Sequence, residues 1–357
     1  MPADSTSIAP ARGHNNGRSG RGPRVRGNAR GIRQFVPSLC IAVVLVAAMF
    51  AADAFLPNLF DSPLPTRAQD GLTLTLSVLI ESLPFVALGV VLSIAVQVWV
   101  PAQVIQRVLP KRAWPRRMAL AALGMLIPVC ECGNVPFARG LMMRGLTPGD
   151  TLAFLVAAPI VNPIVIVTTH QAFGMDGGIL LMRILGGYGI ALLIGWVFSL
   201  HPEPEVLLTE RFRLACDDAH EAHGSKFRRS LAQFVEELRA VMPALIVGSA
   251  VAGAVQVLIP RSALVAIGSD PVLSIVAMML LAVTVAICSN VDSFFALSFA
   301  STFTTGSIVA FLLTGPIVDV KMIALMRTTF TVKTIAVLVA IVLVAAFTIG
   351  AVANLVV

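Results

Sequence analysis

A succession of long apolar runs leaves this chain few architectures to choose from. They cover about residues 35–56, 72–99, 151–170, 179–200, 240–259, 307–326 and 335–356. Each approaches or exceeds the roughly 20 residues that carry a helix across a bilayer. Charged residues are 13% of the chain, against roughly 25% in soluble domains, so the lipid bilayer is the expected surrounding. Two shorter apolar stretches, 118–130 and 272–288, lead into cysteine motifs. Short helical runs at 134–145 and 291–304 follow them.

The chain also repeats itself. Cys130-Glu131-Cys132-Gly133-Asn134-Val135 is echoed by Cys288-Ser289-Asn290-Val291-Asp292, with Cys132 matching Cys288. Downstream, Phe154 to Asn162 aligns with Phe311 to Asp319, and five of nine positions are identical. Upstream, Pro84 to Pro101 aligns with Pro243 to Pro260. Three blocks in one order mean a duplicated unit, the usual plan of a membrane transporter.

Charge threads the chain. Residues 1–34 carry seven arginines against Asp4 alone and have no apolar periodicity. They read as a disordered basic arm that holds the N-terminus in the cytoplasm. A tail that binds RNA or lipid headgroups is the sharper reading. Short basic loops stay inside. Arg107, Lys111, Arg112, Arg116 and Arg117 are placed there, as are Arg211, Arg213, Lys226, Arg228 and Arg229. That holds only if 118–145 turns back instead of crossing. The second half then repeats the first from the opposite face, with 272–304 dipping in from outside. The expected fold is an all-α polytopic membrane protein with inverted-topology repeats, re-entrant helical hairpins and Pro-broken transmembrane helices. Its parts are the arm 1–34, a first transmembrane helix 35–56, a first repeat 70–200, a cytoplasmic linker 201–237 and a second repeat 238–357. The setting is a plasma membrane, crossed several times.

The chemistry falls at the hairpin tips. Gly133 and Pro136 make a continuous helix unexpected, and a turn brings Cys130 and Cys132 to one side. Two thiolates with a third soft or charged ligand suit thiophilic ions and metalloids, so Cys130 and Cys132 are the candidate metal ligands. Asn134 and Asn290 are expected to cap the returning half-helices. Helix N-termini favour anionic groups. Charges within a membrane are costly and usually functional. Glu131, Asp292, Asp319 and Lys321 lie at the tips or at Pro-broken helices, and Asp319 matches Asn162. Pro159, Pro163 and Pro316 are expected to interrupt their helices. Asp319 and Lys321 meet only if the chain unwinds between them, as a structural ion pair or as a proton-coupling or substrate contact. Cys288 is either a soft ligand or a small apolar residue. Glu81, aligned with Ala240, is a lateral gate or a capped structural acid.

In the linker, Cys216, His220 and His223 share one helical face. A solvated linker helix and an intracellular metal sensor both fit, although a fourth ligand at a characteristic spacing is missing. His170 at a helix end reads as an interfacial residue. None of the five cysteines, Cys40 included, falls in an outside loop, so a disulfide framework is not indicated. Phosphate-cradling Gly-Lys-Ser/Thr and HExxH signatures are missing, which disfavours direct nucleotide hydrolysis. No cofactor and no nucleic-acid partner are expected.

The run from Cys130 to Leu141, the Ala158-Pro159-Ile160-Val161-Asn162-Pro163 run and Cys288 to Ala296 resemble the bacterial predicted-permease family. The similarity is to its YraQ/YcgR-like branch, related to the methylarsenical efflux permeases, and spans roughly 70–357. The resemblance implies a permease, not an enzyme. The arsenical cousins hold trivalent arsenic on cysteines near this place, a role that Cys130, Cys132 and Cys288 imitate. Glu131 between the thiols and Asn162-Pro163 depart from the arsenical pattern.

The resulting function is secondary transport of a small solute, a thiophilic metal, a metalloid or an anion. It is bound at the midplane among Cys130, Glu131, Cys132, Asn134, Asn162, Cys288, Asn290, Asp292, Asp319 and Lys321. A membrane partner or assembly subunit is the alternative, and a membrane thiol oxidoreductase a third reading. A homo-oligomer is left open.

Overall fold

A computed structural model describes residues 66–356, apart from 102–103, 105–106, 125, 128–129, 221–224 and 259–269. The basic arm, the first apolar run with Cys40, and His223 lie outside the described residues, as does the side chain of His220. Helices account for nearly all of the rest. An isolated antiparallel bridge joins Leu208 to Phe330, and no strand occurs among the described residues.

The first half contains α1 (Thr66–Ile94, closing in a π-turn at Ala95–Trp99), α2 (Ala113–Leu123) and α3 (Glu131–Met143). It continues with α4 (Pro148–Val161), α5 (Pro163–Phe173) and α6 (Ile179–Ser199). After α7 (Glu210–His220) in the linker, the second half runs α8 (Lys226–Leu258), α9 (Pro271–Val285) and α10 (Asp292–Leu297). It ends with α11 (Thr305–Thr314), α12 (Val320–Met326) and α13 (Val332–Val356). Five stretches are long and apolar enough to cross a membrane: Ala68–Trp99, Pro148–Phe173, Ile179–Ser199, Lys226–Leu258 and Val332–Val356.

The duplication is carried into local structure by matched caps. Thr147 accepts from the Asp150 N–H to start α4, and its counterpart Thr304 accepts from Ser307 to start α11. Asn162 accepts from Val165 to start α5, and Asp319 accepts from Met322 to start α12. Side-chain acceptors at these positions satisfy N–H groups that the helix leaves open. The break expected at Pro159 therefore comes three residues later. The α4 helix runs through Pro159, and Pro163 takes the first helical position after Asn162, where its missing N–H costs nothing. In the second half 315–319 is non-helical, so the apolar run 307–326 forms two short helices.

The two halves point in opposite directions. At one end of the bundle Asp150 pairs with Arg116 at 2.6 Å and Arg117 at 3.2 Å. Arg144 donates to the carbonyls of Val96 and Gln97. Trp99 donates to Ser230, and Gln233 to Gln97. Leu207 in the linker accepts from Thr331 and Thr334 at the start of α13. With its 25 residues, α13 then rises about 37 Å. At its far end Asn354 accepts from the Gly306 N–H at 2.8 Å and donates to Pro271, while Ser274 meets Thr304 at 3.3 Å. The α2–α3 and α9–α10 pairs are therefore rooted at opposite ends. Helix α3 packs on α12, and α5 on α10, so each tip is covered by the broken helix of the other half.

Close crossings use glycine. A Cβ on Gly306 would fall on the carbonyl oxygen of Gly350, and one on Gly149 would lie 3.0 Å from that of Gly195. Gly149 and Gly306 occupy equivalent places, where small residues let apolar helices approach backbone to backbone.

Candidate functional site

Cys130 begins the site in extended conformation, and its carbonyl accepts from the N–H groups of Gly133 and Asn134 at 3.1 and 3.2 Å. This starts α3 at Glu131 and corrects two expectations. The helix runs straight through Gly133 and Pro136, because nearly every one of its residues is buried and packing overrides propensity. Asn134 is no cap: it sits inside α3, fully buried, with neither side-chain atom hydrogen-bonded. The second tip repeats the geometry. The Cys288 carbonyl accepts from Val291 and Asp292, so α10 starts at Asp292 with Val291 at the N-cap, and Asn290, against expectation, supplies no side-chain cap. Helix α10 ends at Leu297 and gives way to turns before Phe303, shorter than the expected run 291–304.

Glu131 is the hub. Its Oε1 accepts from Lys321 Nζ at 3.1 Å, and its Oε2 accepts from Ser289 Oγ at 2.9 Å. Lys321 Nζ lies 3.9 Å from Asp319 Oδ2. The two residues thus approach across the unwound start of α12, as the sequence required of them, but Glu131 is nearer to the ammonium. Ligand atoms of Cys130, Glu131 and Cys288 all lie within 4.8 Å of one another. Cys132 turns toward α1, with its sulfur 3.5 Å from Ser82 Oγ and 4.0 Å from Glu131 Oε1. Gly89 on α1 sits so close to Gly133 that a Cβ would lie 2.6 Å from its Cα. Backbone packing thereby fixes the first tip.

Asp292 is bound otherwise than the tip motif suggests. Its two oxygens accept from Arg183 Nη1 at 2.8 Å and Nη2 at 2.6 Å, a bidentate pair with both residues buried. Thr169 and Ser293 also accept from Arg183 Nη1. Arg183 belongs to none of the motifs at the tips, but a single arginine within the apolar run 179–200 is the kind of charge that flags a functional or structural site. A third buried pair joins Arg139 to Glu237 at 2.8 Å, and Arg139 also donates to Thr328 and Thr329 and lies over the Phe212 ring. Each of these three pairs links the first half to the second.

Several buried polar atoms have no hydrogen-bond partner: both on Asn134, Nδ2 of Asn162, Oδ1 of Asn290 and Oδ2 of Asp319. Unsatisfied buried groups are rare in folded proteins and call for an explanation. Three other candidates lie away from the tips. Glu81 is exposed on α1, and His170 is exposed in the last turn of α5. Cys216 is half-buried on α7.

The family model for a predicted permease matches residues 68–355. Among curated proteins the chain is 35% identical over 274 residues to a Streptococcus mutans protein named "Putative two-component membrane permease complex subunit". That alignment covers 76% of this chain and 90% of the relative. It is 37% identical over 257 residues to the UPF0718 protein YcgR of Bacillus subtilis, covering 71% of this chain and 87% of that one. Similarity to YraQ of Escherichia coli is 27% over 107 residues, 30% of each chain. No solved structure matches. With a match over nearly all the described helices and two relatives of such coverage, the chain belongs to the predicted-permease family, as a multi-pass membrane protein.

Proposed function

We propose that this permease carries a small thiophilic solute by secondary transport, holding it between the two tips. One observation supports this above the others: sulfurs and a carboxylate from both halves converge within 4.8 Å in a buried place. Soft thiolate ligands select soft ions and metalloids. The unpartnered side-chain atoms of Asn134, Asn162 and Asn290 are groups that a bound solute satisfies. Cys130 and Cys288 would be the principal ligands, with Cys132 behind them.

In this reading both folded-back pairs are re-entrant and meet near the midplane, where irregular backbone is tolerated only inside protein or beside water. Access alternates as one half rocks against the other. The basic end lies in the cytoplasm. Trp99, Trp114 and Trp196 are all exposed toward that end, as expected of residues at a membrane–water interface. The streptococcal relative's name includes a second component, and we propose such a component as a companion of the transporter.

Flux into proteoliposomes of zinc, silver and arsenite tests the reading. Cys130→Ser with Cys288→Ser is expected to lower flux of the carried solute by at least the tenfold or so that even outer-shell changes cost. Equal flux in the double variant removes the tips from the pathway. A second expectation concerns placement. Cysteines introduced at Lys111 and Ser301, both exposed, should react with an impermeant maleimide from opposite faces of the membrane. Labelling of both from one face contradicts inverted re-entrant pairs.

A further inference from the structure

The charges at the tips are unequal. Arg183 and Asp292 close on each other as a pair. What remains is two carboxylates, Glu131 and Asp319, against one ammonium, Lys321, all three at most 2% exposed. An unbalanced carboxylate away from water is costly unless a cation meets it. The single charge of Lys321 cannot neutralise both. Its Nζ sits 3.1 Å from Glu131 Oε1 and 3.9 Å from Asp319 Oδ2, which has no hydrogen bond while Oδ1 caps α12. The carboxylate that Lys321 does hold is the one grouped with the sulfurs of Cys130 and Cys288. A solute that binds the sulfurs and Glu131 together must compete with that ammonium.

We propose that the solute is a thiophilic cation and not an anion, and that Lys321 is the resident counter-cation it displaces. This rests on the transport reading above and narrows its substrate class. When the solute engages Glu131, the ammonium passes to the open oxygen of Asp319. When the solute leaves, the ammonium returns and refills the vacated carboxylate. The second acceptor is already near, so the transfer is a side-chain rotation and moves no backbone. Lys321 keeps the empty carrier from retaining an unpaired carboxylate, and it also opposes over-tight binding, which would stall release.

Equilibrium dialysis of the purified full chain against zinc tests this, with silver as a monovalent probe and thiosulfate as an anionic one. Lys321→Met removes the competitor and is expected to tighten zinc binding on the order of tenfold, as when a binding-competent fraction is freed. Asp319→Asn removes the landing place and is expected to weaken it. Lys321→Arg keeps a competing cation and is therefore expected to tighten zinc binding less than Lys321→Met does. A merely structural Lys321 would move the first two variants in the same direction. If Lys321→Met does not fold, the fall in Asp319→Asn carries the test, and unchanged or tighter zinc binding there overturns the inference. Cysteine-dependent zinc binding that Lys321→Met weakens or leaves unchanged also overturns it, with the transport reading intact. Thiosulfate binding lost in Lys321→Met does the same. If zinc, silver and arsenite all show no binding dependent on Cys130 and Cys288, the transport reading falls and this inference with it.

Discussion

Replacing Arg183 with methionine is expected to lower the melting temperature of the detergent-purified protein more than neutralising both members of its pair. Arg183 and Asp292 are 1% and 3% exposed and share two hydrogen bonds. Removing one partner of such a pair leaves a charge without water or counter-ion, at about 3–5 kcal/mol. Replacing both with neutral groups is often close to neutral in stability. The variant Arg183→Met/Asp292→Asn should therefore recover most of what Arg183→Met loses, and Thr169 and Ser293 still hold each other at 2.9 Å. Cys130, Cys132 and Cys288, the buried cysteines among the described residues, supply the readout, since a thiol-reactive dye reports them when the helices part. Equal losses in the single and double variants would mean that the pair is not coupled. The comparison matters for function because Arg183 reaches from α6 of one half to α10 of the other. It holds the second tip from outside that tip's own repeat.

Gly306→Ala is expected to be worse tolerated than Gly149→Ala, although the two glycines are equivalent by descent. At Gly306 the added carbon falls on the Gly350 carbonyl oxygen and comes within 2.6 Å of Asn354 Oδ1. At Gly149 it meets the carbonyl of Gly195 and the N–H of Ser199 at 3.0 Å. Backbone atoms cannot rotate aside, so α11 and α13 must separate along their length. Overpacking usually costs about 1–3 kcal/mol, and the Gly306 change belongs at or above the top of that range. Size-exclusion profiles and melting temperatures of the two variants give the ranking directly. The reverse order would show that α11 and α13 part easily, and the second half would then be the softer of the two.

Much of the fold was legible because duplication leaves identical residues where the backbone demands them. Pro163 and Pro316 marked helix breaks, and Asn162 and Asp319 turned out to cap the half-helices that follow. Two features escaped. Thr147 with Gly149, and Thr304 with Gly306, form a further matching block, but threonine and glycine at turns look ordinary until the crossing is seen. The tip helices were read as broken at Gly133 and Pro136 from local propensity, whereas burial carries α3 through both. For the site, residue types pointed to Cys130, Glu131, Cys132 and Cys288. The pairing did not follow from them. Spacing along one segment says nothing of a partner 190 residues away, such as Lys321 for Glu131, or of an arginine set in an apolar run.

Glu131 has Ile287 at the matching place in the other half, and Lys321 has Ile164, counting from the aligned Cys132–Cys288 and Asn162–Asp319. The scaffold thus has two geometrically equivalent ways to lean, while its ionic contacts belong to one frame only. An exact swap of conformations between the halves would not carry the lysine–glutamate bond to a corresponding bond. Under the alternating access proposed above, the inward- and outward-opening forms would therefore differ in free energy even without a gradient. A directional tilt is written into the sequence by leaving the charges out of the duplication.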